Sequence, residues 1–301
     1  MALILSLFPG LGLLDRAFET EGFCVVRGPD LLWGSDIRGW HPPRAVFDGV
    51  IGGDPCQAHS TLGNLVRAKG LEPRFGDLTP ELVRVIEEAR PLWFLRENVL
   101  RAPEPKPAGY EVTSFILDNT WLGEAQRRRR RFWFGWWGSR GPAPNLRQWI
   151  PGVALELVSD SHRQAVCADS RAVPVRLGGS GKVKCSPVMA GHGGNRAHDG
   201  KRSQPLRCSL GDMLELQGLP RDFLDASPFT MQAKRELIGN GVPLPMGRAV
   251  ARAVRLALAQ NGRGERRAVS RPMSAQTAPT PSSRSETAET TSSGPTGDPR
   301  T

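Results

Sequence analysis

The chain has 301 residues, Lys+Arg 40 against Asp+Glu 30, a formal net charge of +10 and 39% hydrophobic residues. That suffices for one large or two small domains with a real core, and it excludes collagen, wholesale disorder and a small disulfide scaffold. The basic excess points to a polyanionic partner without choosing among DNA, RNA and an acidic membrane. Five cysteines (Cys24, Cys56, Cys167, Cys185, Cys208) include no CxxC pair. Their spacing gives neither a disulfide framework nor a zinc signature, so a reducing cytoplasm and no metal are expected. The apolar N-terminus lacks a basic leader and is broken by Pro9, Gly10 and Gly12. No apolar run reaches the roughly 20 residues that a bilayer requires, so no membrane contact is expected.

In chain order, residues 2–8 form a short apolar run closed by a Gly-rich turn, and 13–23 carry apolar residues at helical spacing. That predicts a strand, a tight turn and a helix. A second strand is expected at 22–27, a third short one around 32–37, and a buried one at 45–52 leading into an irregular loop at 53–60. The segment 79–90 reads as a helix with Thr79 as its cap and Pro80 at the first helical position, and 91–97 as another apolar strand. Strands alternating with helices give an α/β class with a largely parallel sheet. From Trp136 the pattern breaks up, and 136–206, rich in Gly, Pro, Ser and Arg, predicts a small irregular domain. Helical signal returns at 211–217 and, more strongly, at 245–260. The Ser/Thr/Pro/Arg-rich segment 262–301 cannot bury enough surface to offset its ordering entropy and is expected to be a disordered tail.

Several short segments carry chemistry. Phe8-Pro9-Gly10-Leu11-Gly12 ends the first strand, where glycines allow a sharp turn and close approach to a ligand; strand–helix packing alone also uses such glycines. Asp30, beyond the second strand, could accept hydrogen bonds from a ribose diol, and Asp36 could meet an adenine amino group, against the plainer reading of solvated loop acids. Gly52-Gly53-Asp54-Pro55-Cys56-Gln57 holds a thiol on a rigid turn after a buried strand, which favours a nucleophile over a cysteine packed as a small hydrophobe. Glu97-Asn98-Val99 ends the next strand, making Glu97 a candidate acid or a local cap. Gln126 and the arginines 127–131 run into Phe132-Trp133-Phe134-Gly135, which favours a strand over a solvated basic run. Alternation then turns Gln126, Arg128 and Arg130 one way and Arg127, Arg129 and Arg131 the other.

Together and in this order, these pieces resemble the cytosine-5 DNA methyltransferase family. The matching segments are Phe8 to Gly12, Pro55-Cys56-Gln57, Glu97-Asn98-Val99, Gln126 to Arg130, Arg207 followed by Leu216-Gln217-Gly218-Leu219-Pro220, and Gly239-Asn240-Gly241-Val242-Pro243. The chain departs from the family's habit at four places: Ser6 for an Asp, Leu13 for a further Gly, Asp54 for the first Pro before the cysteine, and Leu219 for Phe.

The resemblance implies a Rossmann-like methyltransferase sheet. It implies a catalytic and cofactor-binding domain from 1–135 plus 235–260, and a target-recognition domain at 136–234 whose stretch 136–206 reads DNA sequence. S-adenosylmethionine is the implied cofactor, and double-stranded DNA the implied partner of a monomer with no obligate protein partner, of the restriction-modification kind. Cys56 is implied as the nucleophile adding to cytosine carbon 6, assisted by nearby cations. Glu97 is implied at ring nitrogen 3, Arg130 at oxygen 2, and Arg128 as orienting the acid and loop. Phe8, Gly10, Gly12, Asp30, Asp36, Pro55, Asn240 and Val242 are the implied cofactor contacts. A catalytically silent DNA-binding relative and an RNA cytosine methyltransferase remain as alternatives. A nicotinamide-dependent oxidoreductase shares the Gly turn but does not account for the Pro-Cys-Gln and Glu-Asn-Val pair.

Overall fold

The computed structural model describes residues 1–60, 67–71, 75–124, 126–138, 143–151, 175–177, 183–185 and 209–269. Strand β1 (Leu3–Leu7) leads to helix α1 (Leu13–Thr20) and strand β2 (Cys24–Arg27), and β3 (Gly49–Gly52) precedes α2 (Thr79–Ala89) and β4 (Trp93–Asn98). Strands β5 (Tyr110–Asp118) and β6 (Arg129–Trp137) follow, then a short pair, β7 (Val175–Leu177) and β8 (Val183–Cys185). Helices α3 (Leu210–Leu216), α4 (Met231–Asn240) and α5 (Leu244–Val269) close the described chain. The main sheet has six strands in the order β2-β1-β3-β4-β6-β5. Its first four run parallel, while β6 lies antiparallel to both β4 and β5.

Strands buried on both faces read as continuous apolar runs, which is why β1, β3 and most of β4 are legible in the sequence. One core cluster joins Ile4, Phe18, Trp93, Phe132, Phe134, Trp136, Met246 and Val250. A second joins Leu5, Leu7, Val50, Leu82, Val85, Ile86 and Phe94. The strand residues thus divide between two core layers, one shared with α1 and α5 and the other with α2. Helix α1 crosses α5 closely: a Cβ on Gly247 would lie 2.8 Å from that of Ala17, so a side chain there would push the helices apart.

Register places the functional ends together. Leu7 pairs with Gly52, and Gly52 with Arg96, so the carboxyl ends of β1, β3 and β4 form one edge. Because β6 is antiparallel, its beginning reaches that same edge, with Glu97 opposite Phe132 and Asn98 opposite Arg131.

Several expectations need correction. No strand forms at 32–37: 3-10 turns at Leu31–Trp33 and Ile37–Gly39 replace it, each started by an aspartate side chain, Asp30 and Asp36, accepting a backbone N–H. Leu78, not Thr79, caps α2, and it does so without a side-chain bond. β6 starts at Arg129 rather than Gln126, and it carries Trp136 into the core cluster rather than into an irregular region. Helix α5 runs on to Val269, so residues 262–269 are helical and not part of a disordered tail. Most of the expected sequence-reading stretch 136–206, including Cys167, lies outside the described residues, as do Arg207, Cys208 and residues 270–301. Among the described residues no helix is long and apolar enough to cross a membrane.

Candidate active site

The strand edge opens into a cleft of about 740 Å³, lined by Phe8, Gly10, Asp30, Asp36, Pro55, Cys56, Glu97, Arg130, Asn240 and Val242 among others. That size lies within the usual range for small-molecule sites. Of the twelve expected site residues, Gly12 and Arg128 do not line it.

On one side lies the turn after β1. Phe8, Gly10 and Gly12 all have positive φ (55, 54 and 73°). A side chain on Gly12 would meet the Arg27 guanidinium at 2.7 Å, so this glycine shapes the turn rather than the cleft wall. Asp30 locks the turn from across the gap: its Oδ2 accepts the Gly10 N–H and its Oδ1 the Leu32 N–H, each at 2.8 Å. Asp36 accepts the Arg38 N–H at 3.0 Å and pairs with the Arg38 side chain. A carboxylate has about four acceptor sites, so both acids keep capacity for a ligand.

Sequence reasoning missed a carboxylate here. Asp15, on the first turn of α1, is fully buried; it accepts the Ser6 hydroxyl at 2.5 Å and the Arg27 Nε–H at 3.1 Å. Burial pushes its carboxyl above the usual range, with Ser6 and Arg27 opposing. Ser6 and Asp15 both line the cleft, so the start of α1 brings a carboxylate to the end of β1. An Asp at the start of an amphipathic helix was the available signal.

On the other side stand the candidate reacting groups. Cys56 opens a 3-10 turn, Cys56–Ala58, directly after Pro55, whose φ is −52°. Burial pushes its thiol up, and Glu97 adds to this, while Arg130 and Arg128 oppose. The expected cations are therefore present, but burial outweighs them in the free protein. Glu97 is buried, and its Oε1 lies 2.8 Å from Arg130 Nε yet has no hydrogen-bond partner. The two findings differ in kind: the charges are close, but the N–H direction misses the oxygen. Burial raises the Glu97 carboxyl above the usual range, Arg130 and Arg128 notwithstanding.

Arg128 has a structural task. Its buried guanidinium donates to the carbonyls of Gly239 at 2.9 Å and Gly241 at 2.8 Å, tying the end of α4 to the sheet. Burial and the charge of Arg130 pull it down to about 9, which leaves it cationic at neutral pH. It holds the segment that presents Asn240 and Val242 to the cleft, and it reaches the acid only through its charge.

Asp54 is buried beside the nucleophile and pairs with the fully buried Arg96 at 2.6 and 2.7 Å. Among the described residues one group of side chains is close enough to share a cation: Asp54, His59 and Asp77. Asp54 is already committed to Arg96, and His59 lies 3.2 Å from Asp77.

Residues 35–145 match the family described as C-5 cytosine-specific DNA methylase. The matched residues take in Cys56, Glu97, Arg128 and Arg130 with their flanking segments. It is similar to the Type II methyltransferase M.NgoPII of Neisseria gonorrhoeae, at 24% identity over 85% of this chain and 96% of that protein. It is also similar to the Type II methyltransferase M.FnuDI of Fusobacterium nucleatum, at 32% identity over 44% of this chain; the match spans 46% of that relative. Among solved structures, the S. pombe Dnmt2 methyltransferase superimposes with a TM-score of 0.53 at 13% identity, covering 86% of this chain and 99% of that one. At that identity the likeness shows the fold alone, a Rossmann-like six-stranded sheet.

Proposed function

We propose that this methyltransferase uses S-adenosylmethionine to methylate carbon 5 of a cytosine flipped out of double-stranded DNA, through a transient bond from Cys56 Sγ to carbon 6. The observation that carries this reading is the meeting of Cys56, Glu97 and Arg130 on one wall of the cleft, with Gly10, Asp30 and Asp36 also lining it. The acids Asp15, Asp30 and Asp36 and the volume of the cleft suit a cationic adenosyl sulfonium. Bound there, the cofactor supplies an electrophilic methyl group.

Carbon 5 of cytosine is a poor nucleophile until carbon 6 is saturated. Cys56 gives up its proton and adds to carbon 6, and the displaced π pair makes carbon 5 nucleophilic. Glu97, whose burial favours the protonated carboxyl, donates to ring nitrogen 3 as negative charge develops there. That gives the partnerless Oε1 a role, and Arg130 beside it can hold oxygen 2. After carbon 5 takes the methyl group, its proton leaves to a base such as water, the carbon–sulfur bond breaks to restore the thiolate, and ring nitrogen 3 returns its proton to Glu97. Flipping the base out of the stack costs a few kcal/mol. Exposed Arg129 and half-exposed Arg127, at the start of β6, are placed to meet phosphates and offset that cost.

Incubation with methyl-labelled cofactor and duplex DNA is expected to label cytosine at carbon 5, and duplex containing 5-fluorocytosine in its recognition site is expected to trap the protein covalently. Label on the exocyclic nitrogen, or preference for structured RNA over duplex DNA, overturns the reading.

A further inference from the structure

Two charges stand out of place beside the reacting groups. Asp54 sits two residues before Cys56, and Arg96, one residue before Glu97, lies within the otherwise apolar part of β4. Both side chains are fully buried, and they meet through two bonds, Nε to Oδ1 at 2.6 Å and Nη2 to Oδ2 at 2.7 Å. The pair reaches further. Arg96 also donates to the Thr79 hydroxyl at 2.9 Å and to the Pro103 carbonyl at 2.5 Å, and lies 4.9 Å from the centre of the Trp133 ring. Thr79 in turn donates to Asp54 Oδ2 at 3.2 Å, and Asn98 Nδ2 donates to the Asp54 carbonyl at 3.0 Å. The loop after β3, the start of α2, the segment after β4 and strand β6 therefore converge on one guanidinium.

Bidentate pairing fixes orientation as well as distance. Pro55 links Asp54 to Cys56 with its φ held by the ring, so little freedom separates the anchored residue from the thiol. At the other end, Arg96 and Glu97 are consecutive on a buried strand. We propose that the Asp54–Arg96 pair is the positioning element that sets Cys56 against Glu97 in this chain. The proposal rests on Cys56 and Glu97 being the reacting groups. The carboxylate of Asp54 and the guanidinium of Arg96 are committed to each other and to Thr79 and Pro103, and they act through their neighbours.

The test uses Arg96→Met, Asp54→Asn and the double variant Asp54→Pro/Arg96→Met, each checked for cooperative melting. The alkylation rate of Cys56, read by mass spectrometry of its peptide, needs no turnover. Each single variant is expected to change it about tenfold, and the double variant to return it within about threefold of the parent, because the pair acts as a unit. With fluorocytosine duplex, the trapping rate is expected to fall about a hundredfold in the single variants, with KM for both substrates nearly unchanged. The alkaline limb of the pH–rate profile is expected to move up in Arg96→Met and down in Asp54→Asn. Arg96 lowers and Asp54 raises the Glu97 carboxyl, so removing either charge shifts that limb in opposite directions. A purely structural role does not produce opposite shifts. Single variants that melt cooperatively with parental alkylation and trapping rates overturn the proposal, as does a double variant no better than the singles. A parent protein that is never trapped overturns the catalytic reading instead, and the alkylation rates still decide the positioning role.

Discussion

The two sides of the cleft are built on different principles. On the β1 side, acids and glycines are satisfied by backbone: Asp30 is fastened to Gly10 and Leu32, and Asp36 to Arg38. On the β4 side, charges are buried against one another, and Glu97 Oε1 and Arg128 Nε are left without hydrogen-bond partners. On the function proposed above, the first side is a preformed receptor that a ligand only fills, and the second holds electrostatic cost that an incoming base relieves. Buried polar atoms without a hydrogen bond are rare in folded proteins and cluster where chemistry is done.

The sharpest way to break this contrast is Cys56→Ser, expected to lower turnover by at least about 10⁴-fold while leaving cofactor binding, measured by calorimetry, within about twofold. Next comes Glu97→Gln, expected to reduce kcat by about 10²–10³-fold. It carries a second signature. The folded pKa of Glu97 lies above its ordinary 4.5, so its burial penalises the folded state increasingly as pH rises from that value through the raised one. The Gln variant escapes this, and its melting temperature relative to the parent is expected to climb as pH rises above 4.5. A pH-independent difference would place the cost elsewhere. Arg128→Met leaves the Gly239 and Gly241 carbonyls unpaired; a loss of about 2–4 kcal/mol in denaturant unfolding is expected, with weaker cofactor binding through Asn240 and Val242. The smallest effect belongs to the satisfied side. Asp30→Asn keeps one acceptor for the turn, and the cofactor Kd is expected to rise only about tenfold, with kcat preserved.

The same contrast governs what the sequence discloses. The β1 side is written in local signals, a Gly-rich turn followed by acids at strand ends, and the cysteine loop and Glu97 are placed by strand order alone. Strand β5 has a partly exposed edge pattern, so Tyr110–Asp118 shows no clean alternation. Helix α4 is too polar to announce a face and ends in the Gly-Asn-Gly segment that reads as a loop. The apolar stretch near Trp33 suggested a strand, but Gly34 takes φ 83° and the flanking aspartates start turns, so local side-chain bonds defeat the pattern. Nothing local pairs Asp54 with Arg96, 42 positions apart. Each is merely a charge in apolar company, and only tertiary contact explains both.

The close crossing of α1 and α5 carries a consequence for synthesis. The strand edge bearing Cys56 and Glu97 belongs to the first half of the chain, whereas Asn240, Val242 and the helix that presses on Ala17 come late. Domains are translated from the N-terminus at roughly 5–20 residues per second, so a nascent chain spends seconds with Cys56 and Glu97 made and its cleft one wall short. On the function proposed above, methyl transfer must await the ribosome's delivery of α5, and a chain ended before it is expected to be inactive.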